Sequence, residues 1–499
     1  MKEKTQNTQN EQHTTPSKDE QNAVPAMDEQ HTKGTPSPQN ANEALFTTMP
    51  VAQALRTLAV PTVISQLINL IYNMADAYFI GFTGDSYKIA GVTLAFSLFM
   101  LTIPISNVFG TGGGSLIARL MGRGQTDKSR SVSAYSFYGA IVAALAYSLL
   151  IAVFMDPLLA VLGASPETLP YAEQYTIFVV ILGSLPIILS QTLAMLLRNV
   201  GEAKIASYGL SGGGVLNMIL DPLFMFVLLP PGMEVLGAAL ATFLSNVASC
   251  LFLLVQYLRQ GKTSPLSANV HEMLHLSTAH KRELYSVGLP SGILPGLFDL
   301  ANVFMNALMA AHGDMSLAAM GIVMKAERLP NAINIGICQG MLPLVAYSFS
   351  ARDHDRMERV IHLSRRVGLF IAGVSLVLFL VFANPLSSLF LNTSGENAAV
   401  AMQTVALAGV FLRLRALASP FQLLNYHSSF CLQAMGDGRD SLLHAVVREI
   451  GLYIPFMFLL DHLFGQYGLA GALALGELGG ALFATYLLRR WLAHHSVDA

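Results

Sequence analysis

Apolar residues divide the chain into a polar tail and a long series of hydrophobic stretches. A helix of about 20 apolar residues crosses the hydrocarbon core of a bilayer, because each residue adds about 1.5 Å. The pattern predicts an all-α membrane protein with twelve transmembrane helices, near residues 54–81, 87–109, 131–155, 169–196, 204–229, 234–258, 283–311, 316–347, 360–383, 399–424, 441–462 and 468–490.

The first span carries a polar stripe. Gln66, Asn69, Asn73 and Asp76 recur at steps of three and four, which places them on one face of a helix. A charged residue at such depth costs about 2.5–3.5 kcal/mol on insertion scales. We therefore expect the stripe to face protein or water; the structural alternative is a helix contact in which neighbours satisfy it. Pro61 is a candidate hinge because it removes a backbone hydrogen bond.

The two halves of the chain resemble each other. LLRNVGEAKIASYG at 196–209 is echoed by CLQAMGDGRDSLLH at 431–444, and Asp156-Pro157 by Asn384-Pro385. Six spans in each half predict two six-helix lobes related by a pseudo-two-fold axis along the membrane normal. The predicted division is a disordered cytoplasmic tail (1–45), an N-terminal lobe (46–260), a cytoplasmic linker (261–281) and a C-terminal lobe (282–492).

Composition agrees with this assignment. The chain is 53% hydrophobic and 12% charged, with a mean hydropathy of +0.51, far from a soluble profile. A net charge of −2 suggests no nucleic-acid partner. Cys250, Cys338 and Cys431 are scattered in or beside apolar spans and indicate neither a disulfide framework nor a metal site. We expect a monomer without a cofactor, with the lipid bilayer as its surroundings.

Basic residues predict the orientation. Lys and Arg concentrate in alternate connectors, whereas the opposite connectors hold only Lys88. The positive-inside rule then places both termini and the central linker in the cytoplasm of a cell (inner) membrane protein.

The fifth and sixth spans add to the candidate site. Asn217 and Asp221 lie one turn apart, and Thr242 and Asn246 share the same spacing. With Asp76, the first half holds two intramembrane carboxylates among amides and hydroxyls. Such oxygen-rich groups suit a proton or a hard cation such as Na⁺. The alternative is two separately capped structural aspartates.

PTVISQLINLIYNMADAYFIG, LNMILDP and GAALATFLSN resemble the multidrug and toxic compound extrusion (MATE) family, over about residues 50–490. The chain is most similar to the DinF-like branch. The resemblance implies cation-coupled antiport, with H⁺ or Na⁺ as the coupling ion and cationic or amphipathic drugs as cargo. It also implies that Pro61 bends the first helix and that the ion is bound by Asp76, Asn217 and Asp221, supported by Tyr72 and Thr242. Asn73 and Asn246 are secondary candidates.

The second half departs from the simplest form of that pattern. Asp299 lies near the position of an acidic residue that helps to bind the ion in the related NorM-like branch, and Glu327 is a further candidate. We expect Lys325, Glu327 and Arg328 to neutralise one another or Asp299, since buried charges must pair. A structural network and an ion or substrate contact both stay open, as does the choice of lobe.

Two rival functions follow from other features. The sequence HEMLH (His271, Glu272, His275) has the spacing of a zinc protease, although it falls in the predicted linker. A flippase of lipid-linked sugars shares the helical plan and needs a basic cavity, which Arg413, Arg415 and Arg448 could supply. GTGGGSLIAR at 110–119 lacks the Gly-Lys-Ser/Thr ending of a phosphate-binding loop, so ATP hydrolysis is not indicated. A transporter, not an enzyme, is the prediction.

Overall fold

The protein is an assembly of helices. The computed structural model describes residues 38–261, 263–391 and 398–495. Its α-helices are α1 (Pro38–Phe46), α2 (Val51–Phe82), α3 (Ser86–Met100), α4 (Thr102–Gly122), α5 (Thr126–Val161), α6 (Leu169–Tyr175), α7 (Ser184–Asn199), α8 (Ala203–Leu223), α9 (Glu234–Leu258), α10 (Val270–Leu274), α11 (Thr278–Ala311), α12 (Asp314–Ser350), α13 (His354–Ser388), α14 (Ala398–Ala416), α15 (Ser419–Met435), α16 (Gly438–Val446) and α17 (Ile454–His495), and three π-helical segments join them at Thr176–Ile181, Phe224–Leu228 and Val447–Tyr453.

The long helices confirm the predicted fold class. Within the described residues, ten helical stretches are long and apolar enough to cross a membrane, or eleven if the pair Leu169–Ile181 and Ser184–Asn199, bent by 43°, is one span. The stretch Gly438–Trp491 has 54 residues, too long for one crossing, and it is broken at Gly465 (φ 58°, ψ −146°). With this break, each of the twelve predicted spans coincides with a helical segment.

Matched kinks mark the internal repeat. Helix α5 leaves helical geometry at Phe154 (φ −112°, ψ 20°), three residues before Pro157. Helix α13 does the same at Phe382 (φ −105°, ψ 21°), three residues before Pro385. Proline explains both bends, because its ring clashes with the preceding turn and it lacks the N–H that would complete the ladder. The Asp-Pro and Asn-Pro pairs at equivalent positions of the two halves therefore correspond to the same kink in the backbone.

The two lobes meet through closely packed helices. Helix α2 packs against α12, and α4 against α11. Gly336 and Gly340 of α12 allow this approach: a Cβ on Gly340 would lie 2.5 Å from the Cα of Ala59, and one on Gly336 would lie 2.7 Å from the Cα of Val63. Small residues at such contacts let membrane helices come close. These contacts lie in the N-terminal half of α2 and the C-terminal half of α12.

The predicted end of the tail needs correction. Residues 1–37 lie outside the described part of the chain, but 38–46 form helix α1. Leu45 and Phe46 are buried, and the Phe46 ring stacks on Tyr347 with centroids 5.0 Å apart. These two apolar residues follow a long polar segment, so the composition of the tail as a whole did not predict an ordered helix there. Burying these side chains offsets the conformational entropy lost when the short helix forms, which polar residues alone could not do.

Candidate functional site

A compact group of polar side chains lies inside the N-terminal lobe. The Asn217 amide donates to Asp221 Oδ1 at 3.1 Å and to Thr242 Oγ1 at 3.2 Å. The Tyr175 hydroxyl donates to Asp76 Oδ2 at 3.4 Å. The two carboxylates are close enough to interact electrostatically. We call Asp76, Tyr175, Asn217, Asp221 and Thr242 the carboxylate cluster.

The carboxylate cluster has oxygen atoms without partners. Asp76 Oδ1, Asp221 Oδ2 and Asn217 Oδ1 are buried and accept no hydrogen bond from the described residues. Asp221 is fully buried and Asn217 nearly so. The ion pairs found in the described chain include neither aspartate. Buried carboxylates require a compensating charge, so this arrangement can hold a proton or a small cation.

Local sequence places the cluster. Asn217 and Asp221 are one turn apart on α8, so both face α9 and Thr242. Asp221 is followed by Pro222, and the helix continues as a π-helical turn from Phe224, a form frequent at functional sites. The sequence reasoning missed Tyr175, because nothing in the local pattern of α6 shows that it meets Asp76.

The supporting residues divide into two groups. Thr242 joins the cluster as the resemblance implies. Tyr72 instead packs its ring against Gly214 of α8, where an added Cβ would lie 3.0 Å from the ring. Asn246 donates to the Thr242 carbonyl at 2.8 Å, and Asn73 donates to the Asn69 carbonyl at 2.7 Å. These three residues therefore surround the cluster without a hydrogen bond to either carboxylate in the described structure.

A cleft lies between the two lobes. Its volume is about 550 Å³, within the range of about 300–1,000 Å³ that is usual for small-molecule sites. Gln66, Asn69 and Asn73 of the polar stripe line it, as predicted for a stripe that faces water. Asp76 is not among the lining residues found in the described chain. It bonds to Tyr175 inside the lobe instead, so the stripe divides into three residues that face the cleft and one, Asp76, that faces protein.

The C-terminal side of the cleft carries paired charges. The Arg415 guanidinium donates to both oxygens of Glu327, at 2.8–3.0 Å, and to the Tyr453 hydroxyl at 3.2 Å. Lys325, Arg328 and Asp299 are exposed. Glu327 is therefore neutralised by Arg415 and not, as expected, by Lys325 or Arg328, whereas Arg328 does lie close enough to Asp299 to interact with it. Burial imposes pairing only on Glu327, and its partner comes from another helix.

A second network adjoins this pair. Arg448 bonds to Glu449 and lies 4.0 Å from Glu477. Glu477 accepts from the Asn425 amide at 2.5 Å, and Asn425 contacts the His444 ring at 3.0 Å. All five side chains are buried. The buried glutamates of this lobe thus have arginine or amide partners.

The HEMLH segment does not form a metal site. Helix α10 is a single short turn, and the His275 ring bonds back to the His271 carbonyl at 2.6 Å. Glu272 is held by two bonds from Arg130, at 3.0 and 3.2 Å. Among the described residues there is no group of three or more His, Cys, Asp or Glu that could hold a metal ion. The glutamate that a protease would need as its base is engaged elsewhere.

Two helical lobes around a ligand-sized cleft define the class of two-lobed membrane transporters. A family model described as MatE matches residues 61–223 and 295–459, and the chain belongs to this family. The assignment to the DinF-like branch stays a prediction.

Similar proteins support the family and the fold. The "Multidrug export protein MepA" of Staphylococcus aureus (strain N315) is 31% identical over 451 residues, which cover 89% of this chain and 95% of that protein. A crystal structure of a MATE in complex with MaL6 superposes with a TM-score of 0.84 at 22% identity, covering 91% of this chain and 98% of the other. A MOP superfamily transporter from Pyrococcus furiosus, described by a reverse polarity of its binding pocket, gives 0.83 at 22% identity over 91% and 98%.

Proposed function

We propose that this protein is an exporter of cationic or amphipathic drugs in the cell membrane, driven by exchange against H⁺ or Na⁺. The observation that carries the proposal is the carboxylate cluster, where neither the buried Asp221 nor the partly buried Asp76 meets a fixed cation within the described residues. The name of the staphylococcal relative, a multidrug export protein, supports the substrate class. The coupling ion occupies Asp76 and Asp221 in this proposal, and Asn217 and Thr242 complete the set of oxygen ligands.

The central cleft supports a drug as the cargo. It combines apolar and aromatic walls, among them Phe298, Met324 and Phe430, with the exposed carboxylate of Asp299. Aromatic and thioether groups adapt to varied apolar bodies, and a carboxylate attracts a cation. The drug and the coupling ion then occupy neighbouring regions, separated by the polar face of α2.

The lobe contacts support an alternating-access cycle. Gly336 and Gly340 pack against α2 at Val63 and Ala59, immediately on either side of Pro61. A bend at Pro61 would therefore change the lobe contact and the position of Asp76 together. Given both termini in the cytoplasm, as the basic residues predict, these contacts lie toward the cytoplasmic end, and we propose that the cleft opens outward in this arrangement. Binding of the ion at Asp76 and Asp221 favours one arrangement of α2, and its release favours the other.

A flippase of lipid-linked sugars finds less support. Its anionic cargo needs free cationic groups in the cleft, and the exposed Arg328 that lines it lies close enough to Asp299 to interact with that carboxylate. Arg415 and Arg448 line the cleft but are bonded to Glu327 and Glu449. Arg413 bonds to the carbonyls of Leu380 and Gly409 and to Asn384.

Proteoliposomes with imposed gradients test the proposal. We expect a pH or Na⁺ gradient to drive uptake or release of an ethidium-like dye by the wild type. Asp76→Asn and Asp221→Asn should each reduce this flux to the level of empty liposomes, because the buried site can no longer exchange a charge. Asp156→Asn, an exposed carboxylate of α5, is the matched control and should transport normally. Wild-type flux in both cluster variants would place the coupling site elsewhere.

A further inference from the structure

A buried arginine in the N-terminal lobe has no acidic partner among the residues that the structure describes. Arg198 of α7 is 5% exposed, and its Nη1 donates to the neutral Oε1 of Gln339 at 3.1 Å. Its Nε is buried and has no hydrogen-bond partner in the described part of the chain. None of the ion pairs within the described residues includes Arg198, whereas the buried Arg119, Arg415 and Arg448 each have a carboxylate. Burying an unpaired guanidinium away from water costs free energy, so its positive charge requires a compensating negative charge.

Arg198 lines a small polar cavity of about 50 Å³. The side chains around it include Gln66, Gln191, Ser245, Asn246 and Gln339, and we call this space the Arg198 cavity. Gln66 uses one amide N–H on Gln339 at 3.1 Å, and Asn246 uses one on the Thr242 carbonyl. Each of these amides has a second N–H to offer. The cavity thus combines one positive charge with several neutral donors.

We propose that the Arg198 cavity binds a small inorganic anion of halide size. The volume suits one or two particles of the size of a water molecule or a chloride ion and excludes a drug. The nearest ionised group on the wall is a cation, which disfavours Na⁺ there. A halide would accept from the free Nε and the spare amide donors, and it would supply the missing charge.

The anion site depends on both lobes. Arg198, Gln66 and Asn246 belong to the N-terminal lobe, but Gln339 belongs to α12 of the C-terminal lobe. The cavity is complete only while α12 lies against α2 and α7. A bound anion therefore stabilises the conformation in which the lobes meet at this level. In the proposed function the coupling ion is held at the carboxylate cluster, which adjoins the Arg198 cavity through Asn217, a residue of both.

Thermal unfolding of the purified full-length protein, with choline as the only cation, tests the site. We expect chloride and bromide to raise the Tm to a saturating value, and gluconate, which exceeds the cavity, to leave it unchanged. Arg198→Gln should weaken the apparent bromide affinity about tenfold or more, because a charged hydrogen-bond donor is lost. Arg413→Gln, which removes a positive charge elsewhere, is the control and should respond as the wild type does.

Two further measurements keep the test decisive if Arg198→Gln does not fold. Gln339→Leu leaves the charge in place but removes the partner from the opposite lobe, so it should also weaken bromide binding. Crystals grown in bromide should show anomalous density beside Arg198 in the wild type. A Tm that is the same in chloride and in gluconate, an unchanged bromide response in Arg198→Gln, or no density beside Arg198 would overturn the proposal.

Discussion

The two lobes share a backbone plan but treat buried charge differently. In the N-terminal lobe, Asp76 and Asp221 are bonded to a hydroxyl and an amide, and no cationic side chain of the described residues neutralises them. In the C-terminal lobe, Glu327 is paired with Arg415, and Arg448 serves Glu449 and Glu477. A charge with a fixed partner holds helices together, whereas a charge without one requires a mobile partner. The repeat therefore preserves the backbone shape but not the pairing of buried charges; under the proposed function, the N-terminal half exchanges the ion and the C-terminal half is structural.

The largest effect on stability is expected when one member of a fixed ion pair is removed. Arg415→Met should lower the free energy of unfolding by about 3–5 kcal/mol, because Glu327 is left buried and alone. The double change Glu327→Leu with Arg415→Met should recover most of that loss. Denaturation of the four proteins of this double-mutant cycle in detergent measures the coupling. Additive losses of stability would show that Glu327 and Arg415 do not interact.

A smaller effect is expected from the hydroxyl that holds Asp76. Tyr175→Phe should lower gradient-driven efflux about threefold to tenfold, the value of one hydrogen bond of about 0.5–1.5 kcal/mol. Tyr72→Phe is the matched control, since Tyr72 packs its ring on Gly214 and makes no hydrogen bond to a carboxylate in the described structure. Initial dye fluxes in proteoliposomes measure both. Equal losses of efflux in the two variants would mean that the Tyr175 hydroxyl contributes no more to ion coupling than the Tyr72 hydroxyl does.

The smallest effect concerns the exposed charges of the C-terminal lobe. Asp299→Asn and Lys325→Gln should change stability additively, within about 0.5 kcal/mol, because neither side chain is buried and they form no ion pair within the described chain. The same denaturation assay applies. A coupling as large as that of Glu327 and Arg415 would remove the distinction between buried, paired charges and exposed ones.

The sequence determined the local features of the site. Hydrophobic length predicted the spans, proline placed the kinks at Phe154 and Phe382, and a spacing of four residues put Asn217 and Asp221 on one face. These features depend on helical periodicity and on the chemistry of single residues, both of which can be read along the chain.

Only the tertiary structure decided which distant groups meet. Tyr175 contacts Asp76 across 99 residues of sequence, and Arg415 contacts Glu327 across 88. Asp76 turns into its lobe, away from the cleft that the rest of its stripe lines. No pattern in the chain selects Arg415 over the nearer Lys325, because the choice depends on how helices pack within a lobe. Helical periodicity fixes the face on which a side chain lies, and the packing of the helices selects its partner.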